Sequence, residues 1–288
     1  MAKQIKVSRK RLSRSVGGDI LMIIVLGLYG MFSFLPLLFV ISNAFKPLEE
    51  FYLFPPRFFA QNPTTTNFLD LLDLSTNMWV PFTRYLFNSV FVTVFTVGIY
   101  VILASMCAYP LAKHEFKGKK ALNGLIVFSM TFSSTVMGIP QYIIFAKLHI
   151  IDSYFAIIIP ALGSTMGVFL MKQFMAAFPM SIIESARVEG SSEFYIFWHI
   201  VMPNQKPAWI TMMIFTFQAV WGATASNMIF TENIKTLPYM LSQIASSGIS
   251  RAGVGAAASL LLLVPNILFF TFSQSNVMET MSNTGIKE

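Results

Sequence analysis

The sequence predicts an all-α integral membrane protein with six transmembrane helices and both termini cytoplasmic. Three observations carry that prediction. The chain has 288 residues, of which 55% are hydrophobic and only 11% charged, whereas a soluble domain carries about 25% charged residues. Its charges leave six long uncharged runs, 20–45, 85–112, 121–146, 153–171, 207–231 and 252–278. Its positive charge also lies on one side of those runs. This composition excludes an ordinary soluble enzyme, a disordered chain and a fibrous repeat. The lone Cys107 excludes an internal disulfide framework.

A helix needs roughly 20 apolar residues to cross about 30 Å of hydrocarbon. Each run meets or approaches that length, giving spans near 20–42, 85–109, 121–146, 153–171, 207–230 and 256–278. The solid apolar runs argue for helices, because a β-barrel shows alternating segments of about ten residues. The weakest run, 153–171, contains Pro160, Gly163 and Gly167. A basic segment, 1–19, precedes the spans, a loop at 172–206 joins the fourth to the fifth, and a tail, 279–288, follows. Ser42-Asn43-Ala44 has the spacing of a signal cleavage site, but the preceding run exceeds the roughly 7–15 residues of a signal core. Residues 20–42 are therefore read as a retained helix. The outer segment 43–84 holds five prolines and a short amphipathic helix near Asn67–Leu74. Contact with a partner protein and capping of the bundle are equal readings of it.

With the N-terminus cytoplasmic, fourteen of the twenty Lys and Arg fall on the cytoplasmic side, among them Lys3, Arg9, Lys113, Lys119, Lys172 and Arg187. The outer segments hold six basic and six acidic residues, so the whole net charge of +7 is cytoplasmic. Topology and contact with anionic membrane lipids explain the basic balance, and nucleic acid is not an expected partner. None of the runs contains an ionisable carboxylate or cation, which argues against a self-sufficient proton-driven pump. Sodium sites built from carbonyls and hydroxyls stay open. His114, His149 and His199 are too dispersed for a zinc site, so no metal site is expected. Neither a nucleophile elbow nor a phosphate loop occurs. No catalytic residues or cofactors are expected in this chain, and energy for uphill movement must come from another polypeptide.

The loop 172–206 predicts two short helices around a glycine. Ser181 and Glu184 have capping-box spacing, opening a helix over about Ile182–Glu189. Ile182, Ile183 and Ala186 form its apolar flank, and Glu184 and Arg187 are spaced to pair. Gly190 suits a left-handed C-cap. A second helix from Ser191 or Ser192 carries Phe194, Ile196, Phe197, Trp198 and Ile200, and Pro203 and Pro207 stop it. One reading is an interfacial connector, and the other is a docking helix that enters a groove on a cytosolic partner.

Glu184-Ser185-Ala186, Gly190, Ile200, Met202 and Pro203 resemble the signature loop of permease subunits of ATP-binding-cassette (ABC) importers, E-A-A-x-x-x-G, nine residues, then I-x-L-P. Ser185 and Met202 are small departures from it, and Glu189 stands where carbohydrate permeases usually carry Asp. Asn67-Phe68, Tyr85, Asn88-Ser89 and Thr236-Leu237-Pro238 are similar to the carbohydrate branch. The end of the chain, Gln274-Ser275-Asn276, Glu279-Thr280-Met281 and Gly285-Ile286-Lys287, looks more like permeases for oligosaccharides or polysaccharide fragments than like those for simple sugars.

This resemblance implies the type I ABC importer permease fold and a non-catalytic transport subunit of a prokaryotic cell membrane. Its partners would be a second permease, a cytosolic ATPase dimer that binds ATP and Mg, and an extracellular or periplasmic solute-binding protein. Glu184, Ser185, Ala186, Glu189, Gly190, Phe194, Ile200 and Pro203 would couple the chain to the ATPase. Glu184 would meet the ATPase surface, Ala186 would keep the approach close, and Phe194 with Ile200 would anchor the second helix. Sugar sites want aromatic faces and hydroxyl-matching polar groups, so Asn88, Ser89, Gln141, Tyr142, Gln218, Trp221 and Asn227 are the candidates along the pathway. Each also reads as interhelical packing or as part of an interfacial belt. A permease for a non-carbohydrate solute, a stand-alone secondary transporter and a membrane-embedded enzyme are the rival classes.

Overall fold

The computed structural model describes residues 16–76, 79–132, 134–225, 227–246 and 248–284, with side chains after residue 274 left out. Most of the basic segment, and the final residues of the tail, thus lie outside the described residues. The described chain is helical, and no strand occurs in it.

Four helical stretches are long and apolar enough to cross a membrane: Gly17–Ala44, Phe82–Lys113, Phe155–Ala177 and Ile249–Gln274. The first belongs to α1 (Val16–Ala44), whose apolar side chains are exposed along nearly its whole length. After the short α2 (Leu48–Phe51) comes α3 (Thr66–Thr76), the amphipathic outer helix that the sequence placed near Asn67–Leu74. The second stretch is α4 (Phe82–Lys113), unbroken over 32 residues, with Pro110 placed in its last turn.

The run 121–146 is two helices, α5 (Lys119–Ser129) and α6 (Ser134–Lys147). The run 153–171 is also divided, into α7 (Phe155–Leu162) and α8 (Thr165–Ala177), at Gly163 and Ser164. Tyr100 Oη bridges that break, donating to the Ser164 carbonyl at 2.7 Å and accepting the Gly167 amide at 2.9 Å. Gly167 N–H is among the first amides of α8, which have no partner within their own helix. Ser164 supplies no side-chain cap, and a tyrosine from another helix takes that place.

The elbow comprises α9 (Met180–Val188), α10 (Glu193–Tyr195), a π-helical turn Ile196–Val201 and α11 (Met202–Asn204). α12 (Lys206–Trp221) follows and is shorter than the run 207–231 suggested. Trp221 is buried, its Nε1–H donating to the Leu262 carbonyl, and Gly222 caps the helix. Residues 223–225 and 227–231 instead lack regular helix, with Met228 and Ile229 buried in the core and Phe230 exposed, and a 3-10 turn, Glu232–Ile234, follows. Absence of charge therefore marked burial there and not helix. α13 (Leu237–Ala245) opens on Pro238, whose fixed φ suits a first turn. It buries Leu237, Met240, Leu241 and Ile244, the spacing of one helical face. α14 (Ala252–Thr284) ends the described chain.

α4 is the central element, packed on α7, α8, α12 and α13, and α14 packs on α1, α3, α12 and α13. One apolar core, around Tyr100, Ala108, Met171, Met175 and Met212, extends into the elbow through Ile183, Ile196, Phe197 and Val201. A second joins α3, α13 and α14 at the far end, around Leu71, Tyr85, Met240 and Ala257. The elbow and the cluster that joins α3, α13 and α14 thus occupy opposite ends of α4.

Candidate functional site

The elbow is built by local rules at its turn. Gly190 has φ +85°, where a β-carbon is strained. Its N–H donates to the Arg187 carbonyl, and the Ser191 N–H donates to the Ala186 carbonyl, both at 3.0 Å. These two bonds are a Schellman motif, which reverses the chain directly after α9.

The start of α9 differs from expectation. Pro179 is the N-cap and makes no side-chain bond, while Ser181 lies inside the first turn. The proline already fixes an extended conformation, which leaves no cap position for Ser181. Ile183 is fully buried and Ala186 is nearly so, while Ile182, Glu184, Ser185, Val188 and Glu189 face outward. Ala186 therefore packs against its own bundle. Ser185 Oγ donates back to the Ser181 and Ile182 carbonyls. Arg187 does not pair with Glu184. Its Nε lies 2.6 Å from Glu193 Oε1, across the glycine turn. The Arg187 guanidinium holds the Glu193 carboxyl below the usual carboxylate range.

The second half of the elbow is anchored by Ile196, Phe197, Val201 and Met202. Ile200 is only half-buried, and Phe194 is 66% exposed, its ring on Trp198. The Met202 N–H bonds to the Phe197 carbonyl, five residues back, so the turn is widened. Pro203 follows at once, and its ring would press on the His199 carbonyl in a regular α-turn. The helical run ends at Asn204, directly after Pro203, and past the turn at Gln205 the chain continues as α12 with Pro207 in its first turn. The pattern of apolar residues could not reveal the widened turn, because a π-turn rotates the buried face.

At the other end of α4, the pathway candidates separate. Asn88 is fully buried. Its Nδ2 donates to the Asn233 and Lys235 carbonyls at 2.9 and 2.8 Å, and its Oδ1 accepts the Tyr154 hydroxyl. Ser89 Oγ accepts the Leu237 amide at 2.7 Å. These two residues clamp the segment 233–237, and their polar groups are occupied within the chain. Trp221 is likewise internal, stacked on Phe217. Asn227 lies in an exposed turn beyond α12 and not within a span. Gln141 and Tyr142 are on α6, half-buried and 40% exposed respectively, and Gln218 is exposed on α12. These three, with the exposed Asn227, are the candidates that remain open to a ligand.

The same end carries a latch that sequence reading missed. The Tyr85 hydroxyl donates to Glu232 at 2.6 Å, and Lys235 Nζ lies 2.5 Å from the same carboxylate. Burial raises the Glu232 carboxyl, but the Lys235 and Tyr85 bonds outweigh it, and the net direction is down. Asp152 accepts the Phe230 and Thr231 amides at 2.8 Å, which ties the loop after α6 to the segment after α12. Tyr85 and Glu232 lie 147 positions apart and Asp152 and Phe230 lie 78 apart, beyond any local spacing rule, whereas Lys235 is three positions from Glu232.

The family model described as binding-protein-dependent transport system inner membrane component matches residues 100–277, from Tyr100 through the elbow and into α14. The chain belongs to this family. Among relatives of this inner membrane component, Protein LplC of Bacillus subtilis is 31% identical over 228 residues, 77% of this chain and 73% of that protein. The arabinooligosaccharides transport system permease protein AraQ of the same organism is 30% identical over 206 residues, 71% and 73% of the two chains. Its polygalacturonan/rhamnogalacturonan transport system permease protein YtcP is 28% identical over 275 residues, 90% and 94%. A solved bacterial ABC transporter involved in the import of the acidic polysaccharide alginate has a chain of the same fold. The TM-score is 0.75 at 20% identity, covering 91% of this inner membrane component and 98% of that chain. The fold is thus that of an ABC importer permease, as the signature residues implied.

Proposed function

We propose that this inner membrane component is a carbohydrate permease subunit, forming half of the pathway through which an ATP-driven importer moves an oligosaccharide or polysaccharide fragment. The observation that carries the reading is the elbow itself. A glycine with positive φ presents a short helix whose outer face, Ile182, Glu184, Ser185, Val188 and Glu189, is exposed, while Ile183 and Ala186 bind it to the bundle. That is the form of a docking helix. Similarity to arabinooligosaccharide and polygalacturonan/rhamnogalacturonan permeases, and to the fold of an alginate transporter, supports a glycan as cargo.

In this reading the chain crosses a prokaryotic cell membrane six times, with both termini cytoplasmic. α5 with α6 forms the third crossing, and α12 the fifth. The elbow is cytoplasmic, and the latch faces outward. ATP and Mg bind a cytosolic ATPase dimer, a second permease completes the pathway, and a solute-binding protein delivers the glycan. The permease carries no chemistry of its own. ATPase closure moves the elbow, and the bundle alternates between inward-open and outward-open states.

The test is reconstitution with the ATPase, the second permease and the binding protein in vesicles. Uptake of labelled arabinan or galacturonan oligosaccharides that requires both ATP and the binding protein is the expected result. Uptake by vesicles lacking the ATPase would overturn the reading in favour of a stand-alone carrier.

A further inference from the structure

The end of α4 grips the elbow at two points. Before α9, Lys113 Nζ donates to the Phe178 and Ala176 carbonyls at 2.5 and 3.3 Å. Past α9, the Glu193 carboxylate collects three groups: Arg187 Nε at 2.6 Å, the Tyr109 hydroxyl at 3.0 Å, and His114 Nε2 at 3.3 Å. Arg187 belongs to α9, while Tyr109 lies on α4 and His114 caps it. Both ends of the docking helix are therefore tied to residues 109–114. Glu193 touches α9 and α4 at once through charge-assisted bonds, which are the stronger and more directional kind.

The far end of α4 carries Tyr85, Asn88 and Ser89, which hold the outer segment 232–237. Between the two sets of contacts runs one helix of 32 residues, about 48 Å long at 1.5 Å per residue. No break divides it, in contrast to 121–146 and 153–171. A stiff rod fixed at both ends transmits displacement, whereas a broken helix absorbs it.

We infer that Glu193 is a positioning residue, the joint through which movement of the docking helix is passed to α4 and along it to the outer latch. The inference rests on the importer reading above, since a stroke from an ATPase is what the joint would carry. The signature residues deliver docking, and Glu193 delivers direction. Without it the elbow would still seat on the ATPase, but the second span would follow its motion loosely.

The experiment uses the full transporter in vesicles and compares wild type with Glu193→Gln, Glu193→Asp and Tyr109→Phe. For Glu193→Gln, ATPase co-purification and ATP hydrolysis should stay near wild type, while glycan moved per ATP falls at least about fivefold, the lower end of ordinary coupling energies. Glu193→Asp should recover part of the ratio. Tyr109→Phe removes one donor and keeps the ring, so it should show a smaller fall, and it serves alone should Glu193→Gln fail to assemble. An unchanged ratio overturns the joint, and so does a proportional loss of hydrolysis and uptake, which is the mark of a merely structural residue. If the wild-type transporter itself shows no ATP-dependent uptake, the importer reading falls first and the joint falls with it.

Discussion

Tyr100 and Gly167 meet with no room between them. The tyrosine hydroxyl accepts the Gly167 amide at 2.9 Å, and a β-carbon built on the glycine would lie 2.3 Å from that oxygen and 2.8 Å from two ring carbons. The break in the fourth apolar run is therefore held by an absent side chain on one helix and a hydroxyl on another. Gly167→Ala should destabilise the detergent-solubilised protein by about 1–3 kcal/mol through overpacking, seen as a lower thermal midpoint. Tyr100→Phe in the same background removes the closest contact but leaves the ring carbons, so it should restore only part of the loss. An unchanged midpoint for Gly167→Ala would refute the close approach.

Asn88→Ala removes two donors and one acceptor from a fully buried position, leaving the Asn233 and Lys235 carbonyls without that partner. The expected cost is roughly 2–4 kcal/mol, again read as thermal stability. If Asn88 served the ligand instead, stability would hold while the KM for glycan uptake rose.

Asp152 makes the end of α4 that carries the latch sensitive to acid. The Thr231 hydroxyl, then the Thr231 and Phe230 amides, hold its carboxyl below the ordinary range. A group depressed in the folded state contributes its stability above its unfolded value, about 4, and loses it as pH falls through the lower folded one. Hydrogen exchange at the Phe230 and Thr231 amides, measured against the intrinsic rate at each pH, should therefore be strongly slowed near neutrality and lose that protection only in acid. Asp152→Asn should accelerate it at neutral pH by about tenfold or more, as charge-assisted bonds are lost. Equal protection in the variant would exclude the carboxylate as the anchor.

The turn at Gly190 should not accept a bulky residue. With φ +85°, Gly190→Leu incurs about 1–2 kcal/mol of backbone strain. The protein should still insert, with glycan-stimulated ATP turnover lost. Gly190→Asn, which tolerates a left-handed backbone better, should keep more of it. Full transport by the leucine variant would contradict the role of the turn.

Glu184 faces outward on α9, without a described ion pair to Arg187. Glu184→Lys should leave the fold intact and reduce recovery of the ATPase in co-purification. Undiminished recovery would mean that docking does not depend on this charge.

The membrane class, the helical content, the elbow and its glycine were all legible in the sequence, because each follows from rules acting within a few residues. Hydropathy needs only a window of chain. A left-handed cap needs one glycine and the carbonyls of the turn before it. Where those rules met a competing local option they failed. Ser181 lost the cap to Pro179. The run 207–231 was read as one helix because apolar composition does not separate a span from a buried irregular segment.

The sequence by itself determined that this chain lies in a membrane as helices and displays an elbow at residues 172–206. The tertiary structure alone decided what the polar residues do. Asn88 and Ser89, which suited a sugar, are spent on holding the outer segment. Glu193, which no motif marked, gathers Arg187, Tyr109 and His114. In a largely apolar interior a buried polar group without a partner is costly, and which partner it finds depends on how distant helices come together, a relation that no local spacing records.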